Sequence, residues 1–201
     1  MAQPYEIVAA PLARYVAEGD TVAPAIDDDD AAIIAAGWSL VGKSGTRNIS
    51  DEGVTVTHSQ EISRFTPAGA TVPRKVWRTA EGLIIAASIA DVSVEAYAMA
   101  LNDAEITTVA ADVGVPGQKS IDLFQGDQVA TFALLARGLS PEDETLAAQY
   151  VVPRVFQGSD SIEITYNKGE PALLTLEFEA LSDDSGDFGE YIVGTEPAEE
   201  A

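Results

Sequence analysis

The stretch Pro73–Asn102 constrains the fold most, because the spacing of its apolar residues changes partway along it. From Leu83 to Ile89 large residues alternate with small or polar ones, which is the period of a strand with one well-filled face. We expect a strand that begins near Pro73, a turn at Glu81-Gly82, a second strand and then a helix over about residues 92–101.

The helix is predicted from the positions of its apolar residues, which recur at the spacing of one helix face: Val94, Tyr97, Ala98 and Leu101. Asp91 or Ser93 can cap its first turn, because a short side-chain oxygen can accept a free backbone amide. Asn102 is expected to end it. The rest of the chain has strand patterns, so this is the one substantial helix predicted, and it would cover one apolar face of a sheet.

The C-terminal third has the clearest alternation. Apolar residues alternate with polar ones in Ser161–Tyr166 and again in Pro171–Leu181, and Asn167–Gly169 between them suits a turn. We therefore expect a hairpin with an apolar inner face and an acidic outer face. The acidic face would include Glu163, Glu177 and Glu179.

Together these patterns predict a mainly β fold: an antiparallel β-sandwich or partly closed barrel with one flanking α-helix. We expect a single β domain over residues 1–181, with a loop over residues 17–37. Residues 182–201 are expected to form an acidic tail, in which Tyr191-Ile192-Val193 could dock on a neighbouring subunit.

The chain lacks recognisable catalytic or cofactor motifs. It has no cysteine and one histidine, His58, with no nucleophile, base or ligand partner near it in sequence. We expect no enzyme activity, no cofactor and no metal. The run Asp27–Asp30 suggests calcium, but its acids are adjacent rather than alternate. A solvated loop or a helix N-terminus is the favoured interpretation.

The net charge of −22 has the wrong sign for binding nucleic acid through counterion release. It is compatible with solubility at high expression, and also with a surface that faces DNA without adhering to it. Composition leaves both interpretations open.

The charge is unevenly distributed. Six of the eleven basic residues lie in one segment: Lys43, Arg47, Arg64, Arg74, Lys75 and Arg78. After Lys168 there are ten acidic residues and no basic one. The basic segment and the acidic tail could pair between subunits, or both could be solvated surfaces.

No apolar run is long enough to cross a bilayer, and the N-terminal residues lack the basic start and apolar core of a signal peptide. We expect a protein used in a cytoplasm or in a particle assembled there, without a membrane partner.

Several short segments, in this order, resemble the major tail tube protein of long-tailed phages with non-contractile tails. They are Asp51–Val56, Ser59-Gln60, Pro73–Lys75, Arg78–Glu81, Ala90-Asp91 and Ala100–Asn102. Their order of strand, basic turn, strand and single helix extends over roughly residues 5–180.

The resemblance implies a virion protein of the tail, assembled in the host cytoplasm, whose partners are further copies of itself. Six-fold rings would stack into a hollow tube through which DNA passes without specific binding. Tape-measure, tail-tip and tail-terminator proteins would be the other partners. A long loop within residues 43–73 would pack against the next ring.

For the contacts between rings or subunits we expect the six clustered basic residues together with Tyr191 and Ile192. For the acidic lumen we expect Glu163, Glu177 and Glu179, although these could also face outward. The main alternative is a β-sandwich that decorates a capsid or binds a ligand or cell surface. Self-assembly would distinguish the two, because tube subunits polymerise.

Overall fold

A computed structural model describes residues 12–42, 49–90, 92–141, 143, 145–183 and 185–195. These residues form ten strands: β1 Ala13–Glu18, β2 Ser39–Leu40, β3 Ile49–Phe65, β4 Lys75–Ile89, β5 Ile106–Val109, β6 Gln118–Ile121, β7 Phe132–Leu139, β8 Ala147–Gln157, β9 Leu174–Ala180 and β10 Glu190–Val193. They also form two helices, α1 Asp30–Ala35 and α2 Val94–Ala100.

The fold is mainly β with antiparallel sheets, as predicted. The main sheet has the strand order β2-β1-β7-β8-β9-β4-β3, and β10 pairs with β8 on the same side as β9. β5 and β6 form a separate two-stranded sheet. Among the described strands β3 pairs only with β4, so the sheet stays open at that edge rather than closing into a barrel.

Two apolar clusters lie on opposite faces of the main sheet. β7 supplies both: Phe132 and Leu134 enter the first cluster, whereas Ala133 and Leu135 enter the second. The first cluster is covered by α2 and by the segment 158–173, through Ile162 and Ile164. The second is smaller and is covered by Ile33 of α1 and by Trp38. Because both faces of β7 are buried, its sequence is a continuous apolar run rather than an alternating one.

The helix predicted over residues 92–101 is confirmed as α2. The Ser93 side chain accepts a hydrogen bond from the Ala96 amide at 3.1 Å, and Asn102 has a left-handed backbone with φ of 65°. Its buried residues are the alanines at 96, 98 and 100 with Leu101, whereas Val94 and Tyr97 are only half-buried. Ala96 and Ala100 belong to the first cluster.

A second helix, α1, was not predicted as such. It begins at the aspartate run: Asp29 caps it by accepting the Ala32 amide at 2.8 Å, and Asp30 lies in its first turn. The helix N-terminus interpretation of this run is therefore confirmed.

The turn predicted at Glu81-Gly82 is wrong. β4 continues through both residues, which pair with Gln60 and Ser59 of β3. The change of direction occurs at residues 66–74 instead, where Gly69 adopts φ of 82° and the Arg74 amide bonds the Phe65 carbonyl at 2.9 Å. A complete cross-strand ladder at Gly82 outweighs the local turn preference of glycine.

The predicted hairpin between Ser161–Tyr166 and Pro171–Leu181 is also wrong. The alternation in the second segment is confirmed, since β9 buries Leu174, Leu176 and Phe178. The first segment is not a strand, however, because β9 pairs with β4 and β8 instead.

Residues 182–201 were predicted to form a tail, but within them Glu190–Val193 form strand β10. This strand pairs with residues 148–151 of β8, and Tyr191 stacks on Tyr150 with ring centroids 4.4 Å apart. The last residues of the predicted tail, 196–201, lie outside the described residues.

Candidate assembly surfaces

The described residues contain no group of three or more acidic, histidine or cysteine side chains placed to hold a metal ion. Three members of the aspartate run already have other partners. Asp28 accepts the Ala25 amide at 2.8 Å, Asp29 caps α1, and Asp30 accepts the Tyr15 hydroxyl at 2.7 Å. Burial, then this hydrogen bond, raises the pKa of Tyr15 to about 12. The hydrogen bond between Tyr15 and Asp30 joins α1 to β1.

The most exposed regular structure is the outer part of β3 and β4. We call residues 60–81 the distal hairpin. The buried residues of β4 lie between Leu83 and Ile89, whereas every residue from Lys75 to Glu81 is exposed. Its exposed large apolar residues are Ile62, Phe65, Val72, Val76 and Trp77. An isolated two-stranded ribbon of this kind is marginally stable in water, so this exposed apolar surface is a candidate contact surface.

Apolar side chains lie on both faces of the distal hairpin. Residues paired across an antiparallel ladder share a face. Ser63 pairs with Trp77 and Phe65 pairs with Lys75, which gives one aromatic face. The other face has two further pairs: Ile62 with Arg78, and Arg64 with Val76.

The distal hairpin also collects four of the six predicted contact cations: Arg64, Arg74, Lys75 and Arg78. The Arg78 guanidinium donates to Glu81 at 3.0 Å and to Gln60 at 3.2 Å, so it is held along the ribbon. Lys43 and Arg47 lie outside the described residues. The predicted loop within 43–73 is thus, over its described part, mainly strand β3, with its turn after Phe65.

A second ribbon carries the opposite charge. Residues 103–129, which we call the acidic ribbon, contain the β5–β6 hairpin and the loop that follows it. They include five acidic residues and one basic residue, Lys119, which forms an ion pair with Glu95. Val113, Leu123 and Phe124 are exposed, with Val113 at 98% and Phe124 at 75% of their full surface. The sequence did not predict a binding role here, because the acids of this segment are scattered through an acidic chain.

The lumen candidates do not lie together. Glu177 and Glu179 are half-buried on the face of β9 opposite to the first cluster. Glu163 lies between Ile162 and Ile164, which pack on that cluster from the other side of the sheet. The hairpin that would have placed all three carboxylates on one face is absent. A lumen position for Glu163, Glu177 and Glu179 stays a prediction.

Around Glu177 and Glu179 the second face of the sheet is uncovered. We call this the bare face; its residues are Thr55, Thr57, Ile84, Ala86, Ser88, Thr175, Glu177 and Glu179. The Ser88 and Thr175 hydroxyls share a hydrogen bond of 2.8 Å across it. These eight side chains include two carboxylates and no cation, so this surface attracts no phosphate.

Tyr191 and Ile192, predicted to contact a neighbouring subunit, pair with β8 of their own chain. Tyr191 nevertheless keeps about half of its surface exposed. Burial, then the neighbouring Tyr191, raises the pKa of Tyr150. A role for the two residues between subunits stays a prediction.

No protein-family model matches this chain, and no curated protein matches it either. Among the described residues, neither helix has the length and apolar character required to span a membrane.

Proposed function

We propose that this chain is a structural, non-enzymatic subunit that assembles into stacked six-fold rings and so forms the tube of a phage tail. The six-fold symmetry, the DNA conduit and the virion location come from the sequence resemblance. Tape-measure, tail-tip and tail-terminator proteins are the implied partners.

The distal hairpin is the observation that carries the proposal. It extends an acidic body with a ribbon that is cationic, aromatic and uncovered on both faces. Nothing in the described part of the chain covers it. A protein that acts alone has no reason to keep Trp77 and Phe65 in water, whereas a subunit that stacks on another copy buries them.

The open sheet supports the same proposal. β3 is 17 residues long and presents an unpaired edge among the described strands, and β2 at the opposite edge has only two residues. Natural proteins rarely leave a long edge without a partner. Pairing of β3 with the opposite edge of an adjacent copy would continue the sheet around a ring.

The bare face is the candidate lumen wall. It is a continuous surface of β3, β4 and β9 that combines small hydroxyl side chains with Glu177 and Glu179. Such a wall repels phosphate weakly and offers no attractive contact, so DNA can slide along it.

The test is negative-stain electron microscopy of the purified chain at high concentration, with two matched variants. Phe65→Ser with Trp77→Ser removes the aromatic face of the distal hairpin. Tyr166→Ser removes an aromatic residue that is still more exposed, at 78%, from the segment 158–173. We expect rings or tubes from the wild type and from Tyr166→Ser, and dispersed particles from the hairpin variant.

Circular dichroism should give the same unfolding transition for all three proteins, because the substituted side chains are exposed. Discrete wild-type particles without rings or tubes would overturn the proposal and favour a capsid decoration or ligand-binding module. Tubes from the hairpin variant would show that assembly does not require the aromatic face of the distal hairpin.

A further inference from the structure

We infer that the acidic ribbon of one copy is the docking surface for the distal hairpin of the next copy. The inference rests on the proposed function, because it names the two surfaces through which copies join. The occupant is a second copy of this chain rather than another protein.

Charge complementarity is the first argument. The distal hairpin has four basic and two acidic residues, whereas the acidic ribbon has five acidic and one basic residue. In a chain of net charge −22, the bodies of two copies repel each other. Contact is therefore favoured where the one cationic projection of the described residues meets an acidic surface, since complementary potentials steer encounter and fix orientation.

The apolar residues are the second argument. The distal hairpin and the acidic ribbon both carry exposed large apolar groups beside their charges, on the two strands of the hairpin and in the loop that follows β6. Trp77 and Phe65 on the hairpin face solvent, as do Leu123 and Phe124 on the acidic ribbon. Aromatic residues in the centre with charged residues around them form the usual arrangement of a protein interface.

The geometry of growth is the third argument. The two surfaces differ, so a head-to-tail contact uses the hairpin of one copy and the acidic ribbon of the next. In a row of copies joined in this way, one hairpin and one ribbon remain free at the two ends. Head-to-tail contacts either close into rings or continue as open stacks, and a tube requires contacts that continue.

The experiment is a reciprocal charge reversal. A hairpin variant carries Arg74→Glu and Lys75→Glu, and a ribbon variant carries Glu105→Lys and Asp127→Lys; all four side chains are exposed. Alone, each variant should need a roughly tenfold or higher concentration to assemble than the wild type, about 1.4 kcal/mol per contact. Mixed in equal amounts, the two should assemble near the wild-type concentration, because each reversed hairpin then meets a reversed ribbon.

The control replaces two exposed acids outside the ribbon, Glu163→Lys and Glu170→Lys. This control should assemble like the wild type, and it should not restore assembly to the hairpin variant. Light scattering with electron microscopy measures assembly, and circular dichroism confirms that each variant is folded.

Three outcomes would overturn the inference. The ribbon variant could assemble at the wild-type concentration, or the mixture could fail to recover, or the control could rescue as well as the ribbon variant. Tubes from the wild type would leave the proposed function standing in each case. A wild type that never self-associates would overturn both.

Discussion

Arg14 is the least expected residue in the core, and its substitution gives the sharpest stability prediction. It lies on β1 two residues before Val16, opposite Ala136 of β7, and is 2% exposed. Its three guanidinium nitrogens are buried and have no hydrogen-bond partner among the described residues. A buried charge without a partner is strongly unfavourable.

The magnitude follows from the pKa. Burial lowers the pKa of the Arg14 guanidinium well below its usual range, to about 10. Each pKa unit corresponds to about 1.4 kcal/mol, so the charged form loses roughly 3 kcal/mol in the folded chain. Because the folded pKa is below the unfolded one, this destabilisation is complete below pH 10 and is lost as the pH rises from there towards the unfolded pKa.

Arg14→Met keeps an unbranched apolar stem and removes the charge. At pH 7 we expect the free energy of unfolding to rise by roughly 2–3 kcal/mol, or the melting temperature by about 5–10 °C for a chain of this size. Urea titration followed by circular dichroism measures the change.

Arg78→Met is the matched control, because Arg78 is exposed and its ion pair with Glu81 is exposed too. It should change stability by no more than about 0.5 kcal/mol. A loss of stability above about 1 kcal/mol in Arg14→Met would refute the reasoning, because it would mean that the guanidinium has a partner in the folded chain.

Three further predictions concern Tyr15, α2 and the bare face. The pKa of Tyr15, raised to about 12, makes stability fall between pH 10 and 12 by at most about 1.4 kcal/mol per pH unit, and Tyr15→Phe should abolish that part of an alkaline unfolding profile. Ser93→Ala removes the cap of α2 and should lower the free energy of unfolding by about 1 kcal/mol in urea titration, whereas Ser93→Asp should preserve it. Glu177→Lys with Glu179→Lys should leave tube assembly intact but raise the affinity of assembled tubes for duplex DNA in a co-sedimentation assay, with a salt dependence that the wild type lacks; unchanged DNA binding would remove the bare face as the lumen wall.

The sequence predicted best where burial alone decides the structure. β9 and the inner half of β4 alternate because one face is buried. Helix α2 begins at the Ser93 cap and ends just before Asn102, whose backbone is left-handed. These signals lie within a few residues of the structure they specify, so no knowledge of the partner strand is needed.

Prediction from the sequence failed where the structure of a segment depends on which strand pairs with it. Ser161–Tyr166 alternates like a strand, but β9 pairs with β4 along one edge and, through residues 178–180, with β8 on the other. Conversely, residues 148–151 of β8 lie beyond the end of its pairing with β9, and β10 fills that edge. The same reason explains the candidate surfaces: the basic residues of the hairpin were close together in sequence, whereas the position of Glu163 depended on an unpredictable pairing.

The distal hairpin differs from the rest of the sheet in a way that bears on assembly. Strands with apolar residues on both faces are normally buried on both faces, and β7 is an example within this chain. The distal hairpin has the same property, with Trp77 on one face and Val76 on the other, yet both are exposed. Selection for folding alone would not maintain such residues in water. These exposed residues are explained if a second copy buries both faces of the distal hairpin, as the rest of the chain buries both faces of β7. Arg64 and Lys75 on the same strands then limit unspecific edge pairing until the correct acidic surface is met.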